Sequence, residues 1–188
     1  MKRTLILITI IGLFFINAGA QQKYNAVAEK STLAWTGEKV TGQHSGTIKL
    51  KAGSLTIKDN KIVGGEFDID MTSIKDSEGN ERLEGHLKSG DFFDAANFPV
   101  SKLVINESTP FDKGTGVAKG TLTIKGVTNP VEIKATMQKK DDGVWFFTNI
   151  DIDRTKYNVK YGSGSFFDNL GDKTIYDDFR LKVSLLVY

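Results

Sequence analysis

Short runs in which apolar and polar residues alternate follow one another along almost the whole chain after Ser31. The alternation is clearest in residues 67–71, 131–137 and 179–187, and stretches with helical periodicity are almost absent. A period of two turns one face of a β-strand towards an apolar interior and the other face towards water. A sheet with a single apolar face must curl on itself or stack on a second sheet, so the pattern predicts an all-β domain of antiparallel strands.

Turn-forming residues divide this pattern into short strands. Asp59-Asn60 and residues 141–143 are turn signals, and residues 125–130 are predicted as a short connection between two strands. Eight or nine such strands with short connections are typical of a closed up-and-down barrel or a two-sheet sandwich. A barrel of about eight strands has an interior that side chains fill or that holds one small ligand. The predicted strands are 31–37, 44–50, 54–57, 62–71, 102–108, 117–124, 131–137, 144–153 and 179–187.

Residues 76–99, here called the aromatic segment, do not follow the strand pattern. Leu83 and Leu87 lie four residues apart, which predicts a short amphipathic helix over residues 81–88. Phe92, Phe93 and Phe98 follow within seven residues. Three phenylalanines so close together are not expected to be left in water, so they either plug a core or cover an apolar cavity.

The first twenty residues have the pattern of a secretory signal peptide. Lys2-Arg3 precede an apolar run over residues 5–16, and Ala18-Gly19-Ala20 follow as a cleavage signal. A run of about twelve residues is shorter than the ~20 that span a bilayer. We therefore expect residues 1–20 to be cleaved, leaving a single domain over residues 21–188 without an integral membrane segment, located in the periplasm or secreted.

Charge and composition exclude several functional classes. Without Lys2 and Arg3 the 25 basic residues become 23, which equals the 23 acidic residues, so the mature chain lacks the basic excess that nucleic-acid binding requires. The chain has no Cys and only two histidines, and no nucleophile or zinc-hydrolase motif is present. We therefore expect neither an enzyme nor catalytic residues. The acidic turns 76–81 and 168–172 lack the spacing of a calcium loop, so we expect no metal.

Three motifs, in matching order and spacing, resemble those of the bacterial YceI-like polyisoprenoid-binding family. The first is His-Leu-Lys-Ser-Gly-Asp-Phe-Phe-Asp at residues 86–94, with Glu81-Arg82 before it and Phe98-Pro99 after it. The second is Gly-Thr-Leu-Thr-Ile-Lys-Gly-Val-Thr-Asn-Pro-Val at residues 120–131, and the third is Arg-Thr-Lys-Tyr-Asn-Val-Lys-Tyr at residues 154–161. Two positions depart from the family pattern: Glu81-Arg82 lies one residue farther from His86, and residues 37–39 replace apolar and His residues.

The resemblance implies a fold and a ligand. The fold is an exported, lipocalin-like antiparallel up-and-down β-barrel of about eight strands, here with a short helical and aromatic lid. The ligand is an isoprenoid lipid, such as a quinone or a polyprenyl carrier, in an elongated apolar cavity, with no other cofactor.

Aromatic and aliphatic side chains that we expect to face the interior or to cover it are the candidate ligand-binding residues. Core filling remains the alternative for each of them. The candidates are Trp35, Phe67, Ile69, Leu87, Phe92, Phe93, Phe98, Phe147 and Tyr157.

Two functions are consistent with the sequence. The first is an exported carrier that sequesters an apolar lipid inside the barrel. The second is an envelope protein–protein interaction module with a filled core, suggested by Phe166-Phe167 in an otherwise polar loop. Whether the chain forms a homodimer is left open.

Overall fold

The computed structural model describes residues 20–188. The predicted signal peptide, apart from Ala20, lies outside the described residues. None of the helices within residues 20–188 combines the length and the apolar character needed to cross a bilayer.

Nine strands and one α-helix, α1, make up most of the described chain, and four short 3₁₀ helices lie between them. The strands are β1 Gln22–Asn25, β2 Thr32–Lys39, β3 Gly42–Lys58, β4 Lys61–Asp76, β5 Val100–Ser108, β6 Thr115–Ile124, β7 Val127–Lys140, β8 Gly143–Asp153 and β9 Ile175–Val187; α1 is Glu81–Lys88.

The strands form one antiparallel sheet in the order β1-β3-β2-β9-β8-β7-β6-β5-β4. Additional pairing of β3 with β4 joins the two ends of this order, so β2 to β9 close into an eight-stranded barrel. Strand β1 pairs with the second half of β3, beyond the part that pairs with β2. The predicted all-β antiparallel barrel is confirmed.

Several predicted strands differ from the observed ones. Residues 44–50 and 54–57 belong to one long strand, β3, whose pairing with β4 contains shifts of register that let the strand bend. The predicted connection 125–130 is only a two-residue turn at Lys125-Gly126, and β7 begins at Val127. The prediction missed β1, which has only four residues.

Pairing between β7 and β8 is incomplete. The two strands form a ladder only from Thr136 to Lys140, so the first part of β7 has β6 as its sole ladder partner. Pro130 lies in this part, where the missing N–H removes no hydrogen bond to a second strand. One side-chain hydrogen bond crosses the gap, from Thr148 of β8 to the Lys134 carbonyl at 2.8 Å. Asn129 of β7 donates at 2.9 Å to the carbonyl of Lys156, which lies just after the end of β8.

One end of the barrel is filled with side chains. Phe111 lies edge-on to Phe146 with ring centres 5.5 Å apart, and Leu55, Ile62 and Val187 pack in the same buried cluster. This packing closes the end that contains the β3–β4 and β7–β8 turns.

The aromatic segment covers the opposite end. Helix α1 has the predicted bounds, and Asn80 caps its first turn by accepting a hydrogen bond from the Leu83 N–H. The buried Glu84 fastens the helix to β4, since it accepts hydrogen bonds from the Lys75 ammonium at 2.7 Å and the Asp76 N–H at 3.1 Å. The hydrogen bond from Lys75 has the larger effect and the one from the Asp76 N–H the smaller, and together they hold the pKa of Glu84 below its ordinary value despite its burial.

Candidate functional site

A cavity of about 420 Å³ lies under the aromatic segment, at the covered end of the barrel. Its lower wall is formed by inward-facing side chains of the strands and its upper wall by α1 and the residues that follow it. The apolar residues of this wall are Trp35, Ile48, Ile69, Met71, Ile74, Leu83, Leu87, Phe92, Phe93, Leu122, Ile124, Ile152, Ile175, Phe179 and Leu181.

A second cavity of about 120 Å³ lies deeper in the barrel. Its walls are apolar except for Thr148, and it shares four lining residues with the first cavity. The two spaces therefore follow each other from the covered end towards the filled end. The shared residues are Ile69, Leu122, Ile152 and Leu181.

Most of the predicted site residues come together around these cavities. Trp35, Leu87, Phe92 and Phe93 line the larger cavity, Phe67 lines the deeper one, and Ile69 lines both. These residues come from two strands, β2 and β4, and from the aromatic segment, which the closed barrel brings around one space.

Three predicted residues lie elsewhere. Tyr157 is buried in a cluster with Leu122 and Ile152 beside the cavity, and burial raises the pKa of its hydroxyl. Phe98 packs over the β6–β7 turn, where its ring would lie 2.8 Å from a Cβ added at Gly126. Neither side chain lines the two cavities.

The predicted inward orientation of Phe147 is wrong. Its neighbour Phe146 faces the interior, so the side chain of Phe147 lies on the outer face of β8. There it stacks on Trp145 with ring centres 5.9 Å apart, and Lys140 lies over both rings.

Phe92 and Phe93 of the aromatic segment cover the cavity and do not plug the barrel. Phe92 is buried, and its ring meets Phe93 edge-on at 5.4 Å, while Phe93 reaches Phe179 of β9 at 6.0 Å. The Lys125 ammonium donates to the carbonyls of Gly90 and Phe92, both at 2.8 Å, and thereby ties the cover to the β6–β7 turn. The space below the rings stays open.

Among the wall residues that sequence analysis did not select, Arg154 is both buried and charged. It is only 2% exposed and donates hydrogen bonds to the carbonyls of Val159 at 2.7 Å, Ile175 at 3.0 Å and Tyr176 at 3.1 Å. Burial lowers the pKa of its guanidinium and the Asp177 carboxylate opposes this effect, but an arginine remains charged. The sequence signal that could have identified Arg154 is its position as the first residue of the third motif.

Arg154 and a rim of polar residues give the cavity one polar end. The guanidinium lies 5.4 Å from the centre of the Phe92 ring and fixes the loop that carries Tyr161. A site with an apolar body and one polar end suits an elongated amphipathic molecule. The polar rim is formed by Glu38, Lys39, His44, Asp172, Lys173 and Asp178.

Comparison with known proteins identifies relatives by sequence. The model of the YceI-like domain family matches residues 24–187. A UPF0312 protein of Pseudomonas putida is 28% identical over 100 residues, and one of Shewanella denitrificans is 35% identical over 99 residues. Each match covers 53% or 52% of this chain and 52% or 48% of the relative, so the chain spans about half the length of these relatives.

Solved structures show the same fold. BcnA of Burkholderia cenocepacia superposes with a TM-score of 0.71 at 23% identity, over 85% of this chain and 97% of BcnA. A polyisoprenoid binding domain from Saccharophagus degradans superposes with a TM-score of 0.64 at 14% identity, over 87% of this chain and 97% of that domain.

Proposed function

This chain belongs to the YceI-like domain family, and on that premise we propose that it is an exported carrier that holds an isoprenoid or similar long apolar lipid inside its barrel. The single observation that carries the proposal is the apolar cavity of about 420 Å³ under the aromatic segment, continued by the smaller cavity below it. Such a space shields a lipid from water while the outer face of the barrel stays polar.

Burial of the apolar lipid chain inside the barrel supplies the binding free energy. Each CH₂ group removed from water contributes about 0.8 kcal/mol, so about ten buried groups contribute about 8 kcal/mol before the cost of association is subtracted. Few polar contacts are then needed, and the length and shape of the cavity select the ligand.

The choice of an isoprenoid rests on the family resemblance and on the name of the polyisoprenoid binding domain from Saccharophagus degradans. The polar head group of a quinone or a polyprenyl lipid would lie at the end formed by Arg154 and the rim, with its tail among Ile69, Leu122 and Leu181. Export rests on the predicted signal peptide, and family membership favours a binding protein over an enzyme.

A cavity-filling variant tests the proposal. Leu181 lies where the two cavities meet, so Leu181→Trp fills the space that a ligand would occupy. Phe147→Trp, on the outer face of β8, is the control. The proteins are purified from their native compartment, and bound lipid is identified by native mass spectrometry and organic extraction.

We expect the unmodified protein and Phe147→Trp to carry a lipid of isoprenoid mass, and Leu181→Trp to have lost it while keeping its thermal stability. A protein that carries no lipid and takes up none from vesicles contradicts the proposal. Equal lipid content in Leu181→Trp and the control also contradicts it.

The interaction module is the second candidate. Phe166 and Phe167 are 49% and 50% exposed, and Lys160 lies 4.4 Å above the Phe166 ring, so an aromatic surface is available to a partner protein. Changing both phenylalanines to Ser should abolish capture of an envelope partner if this surface binds one. Unchanged capture removes the support for this function.

A further inference from the structure

His44, Asp76 and Glu78 come together at the rim of the larger cavity. Asp76 pairs with Gly46 in the β3–β4 ladder, and the Ser77 N–H continues it by donating to the Ser45 carbonyl at 2.9 Å. This register places His44 beside the end of β4, on the same face as Asp76. One potential ligand atom from each of the three residues lies within 4.8 Å of the other two.

Asp76 has one oxygen that no group within residues 20–188 satisfies. The residue is 7% exposed, and its Oδ1 has no hydrogen-bond partner there. The other oxygen, Oδ2, accepts from the N–H groups of Glu78 at 3.0 Å and Asn80 at 3.1 Å, so the carboxylate is held in place. A buried carboxylate oxygen without a partner is costly, and something must compensate it.

The imidazole of His44 lies close to this oxygen. The distance from His44 Nδ1 to Asp76 Oδ1 is 3.7 Å, too long for a hydrogen bond. Two atoms so far apart can both bind one ion at about 2.0–2.2 Å, the usual range for zinc with nitrogen and carboxylate ligands. The neighbouring cation, Lys75, pairs with Glu84.

We propose that His44, Asp76 and Glu78 form a binding site for a divalent transition-metal ion, with zinc as the representative probe. An imidazole with two carboxylates suits zinc and its neighbours, whereas calcium and magnesium prefer oxygen ligands alone. His44 and Asp76 are positioned by paired strands, and only the exposed Glu78 has to turn towards the ion.

The ion would compensate the unpartnered Asp76 oxygen beside the cavity. Three protein ligands leave a coordination position free, as in zinc sites that also bind water or another ligand. Because His44 lines the cavity, the ion would lie at its rim. The site does not depend on lipid binding, so it can be tested on protein from which lipid has been extracted.

Zinc titration of the untagged protein tests the site by calorimetry and by the thermal unfolding temperature. His44→Gln and Glu78→Gln remove one ligand each, and Glu81→Gln, an exposed glutamate of α1, is the matched control. Substitution of His44 should leave the fold intact, because its side chain is one-third exposed and makes no hydrogen bond to Asp76. X-ray absorption at the zinc edge reports the bound atoms.

We expect the unmodified protein and Glu81→Gln to bind one zinc ion with an increase in unfolding temperature. Loss of one ligand in His44→Gln or Glu78→Gln should weaken binding by about tenfold or more, and the absorption spectrum should show one nitrogen among oxygen ligands. Failure to bind one equivalent of zinc overturns the proposal. So does equal affinity in His44→Gln and the unmodified protein.

Discussion

Replacement of Arg154 by Met should loosen the loop that closes one side of the cavity. The substitution keeps most of the buried volume but removes the donors to the carbonyls of Val159, Ile175 and Tyr176. It also removes the cation that faces Asp177 at 3.7 Å.

The loss can be worked out from these partners. Val159 is fully buried, so its unsatisfied carbonyl costs about 1–3 kcal/mol, and each of the other two, at the edge of the loop, costs about 0.5–1.5 kcal/mol. Part of this loss is offset, because the neutral Met side chain removes the free-energy cost of burying the charged guanidinium. We expect the free energy of unfolding to fall by about 2–4 kcal/mol, which corresponds to a fall in unfolding temperature of about 4–16 °C for a domain of this size.

Urea unfolding followed by tryptophan fluorescence measures this difference, with Arg180→Met as the control. Arg180 forms a two-bond ion pair with Asp151, at 2.7 and 3.1 Å, but both side chains are exposed. The control should therefore be much less destabilised than Arg154→Met. If Arg154→Met loses no more stability than Arg180→Met, the three hydrogen bonds of Arg154 do not hold the loop as described.

Three further predictions concern the aromatic segment and its supports. Gly126 has a φ of +75°, and a Cβ added there would lie 2.8 Å from the Phe98 ring, so Gly126→Ala should lower the free energy of unfolding by about 1–3 kcal/mol. The control Gly64→Ala, where the added Cβ meets open space, should change it little. Equal urea midpoints for the two variants would contradict this prediction. The pKa of Glu84 is lower in the folded protein than its ordinary 4.5, so its contribution to stability is complete above that pH and is lost as the pH falls through the folded value. When unfolding is measured at a series of pH values, the free energy of unfolding should fall less steeply towards acid pH in Glu84→Gln than in the unmodified protein. Identical slopes in the two proteins would refute the assignment. Replacing Phe92 and Phe93 together by Leu should speed release of a bound fluorescent lipid about tenfold, and an unchanged rate would show that the rings do not retain the ligand.

The sequence predicts the barrel well because the period-two pattern extends over most of the chain, and it predicts α1 from two leucines and a distinct composition. It predicts strand ends less well, since the register shifts that let β3 continue through residues 51–53 depend on its partner β4. The two-residue turn before β7 depends on positive φ angles at Lys125 and Gly126, which the chain pattern alone does not require.

The candidate site shows a similar division. Phe147 could have been assigned correctly, because it shares its parity along β8 with Asp151 and Asp153, whose charged side chains favour the outer face of the strand. Arg154 could not be assigned by pattern, because a buried arginine is stable only with carbonyl partners that come from β9 and the preceding loop. Folding brings the two β9 carbonyls to Arg154, and only the place of Arg154 in the third motif marks it in the sequence.

The incomplete ladder between β7 and β8 makes the barrel wall unequal in strength around its circumference. Of the eight junctions that close the barrel, this one has the fewest paired residues, five, and beyond them one side-chain hydrogen bond, from Thr148 to the Lys134 carbonyl, joins the two strands. Local opening costs least where backbone hydrogen bonds are fewest. The barrel should therefore open most easily by local separation of β7 from β8. A branched lipid chain wider than the resting cavity could then enter from the side while the other seven junctions stay closed.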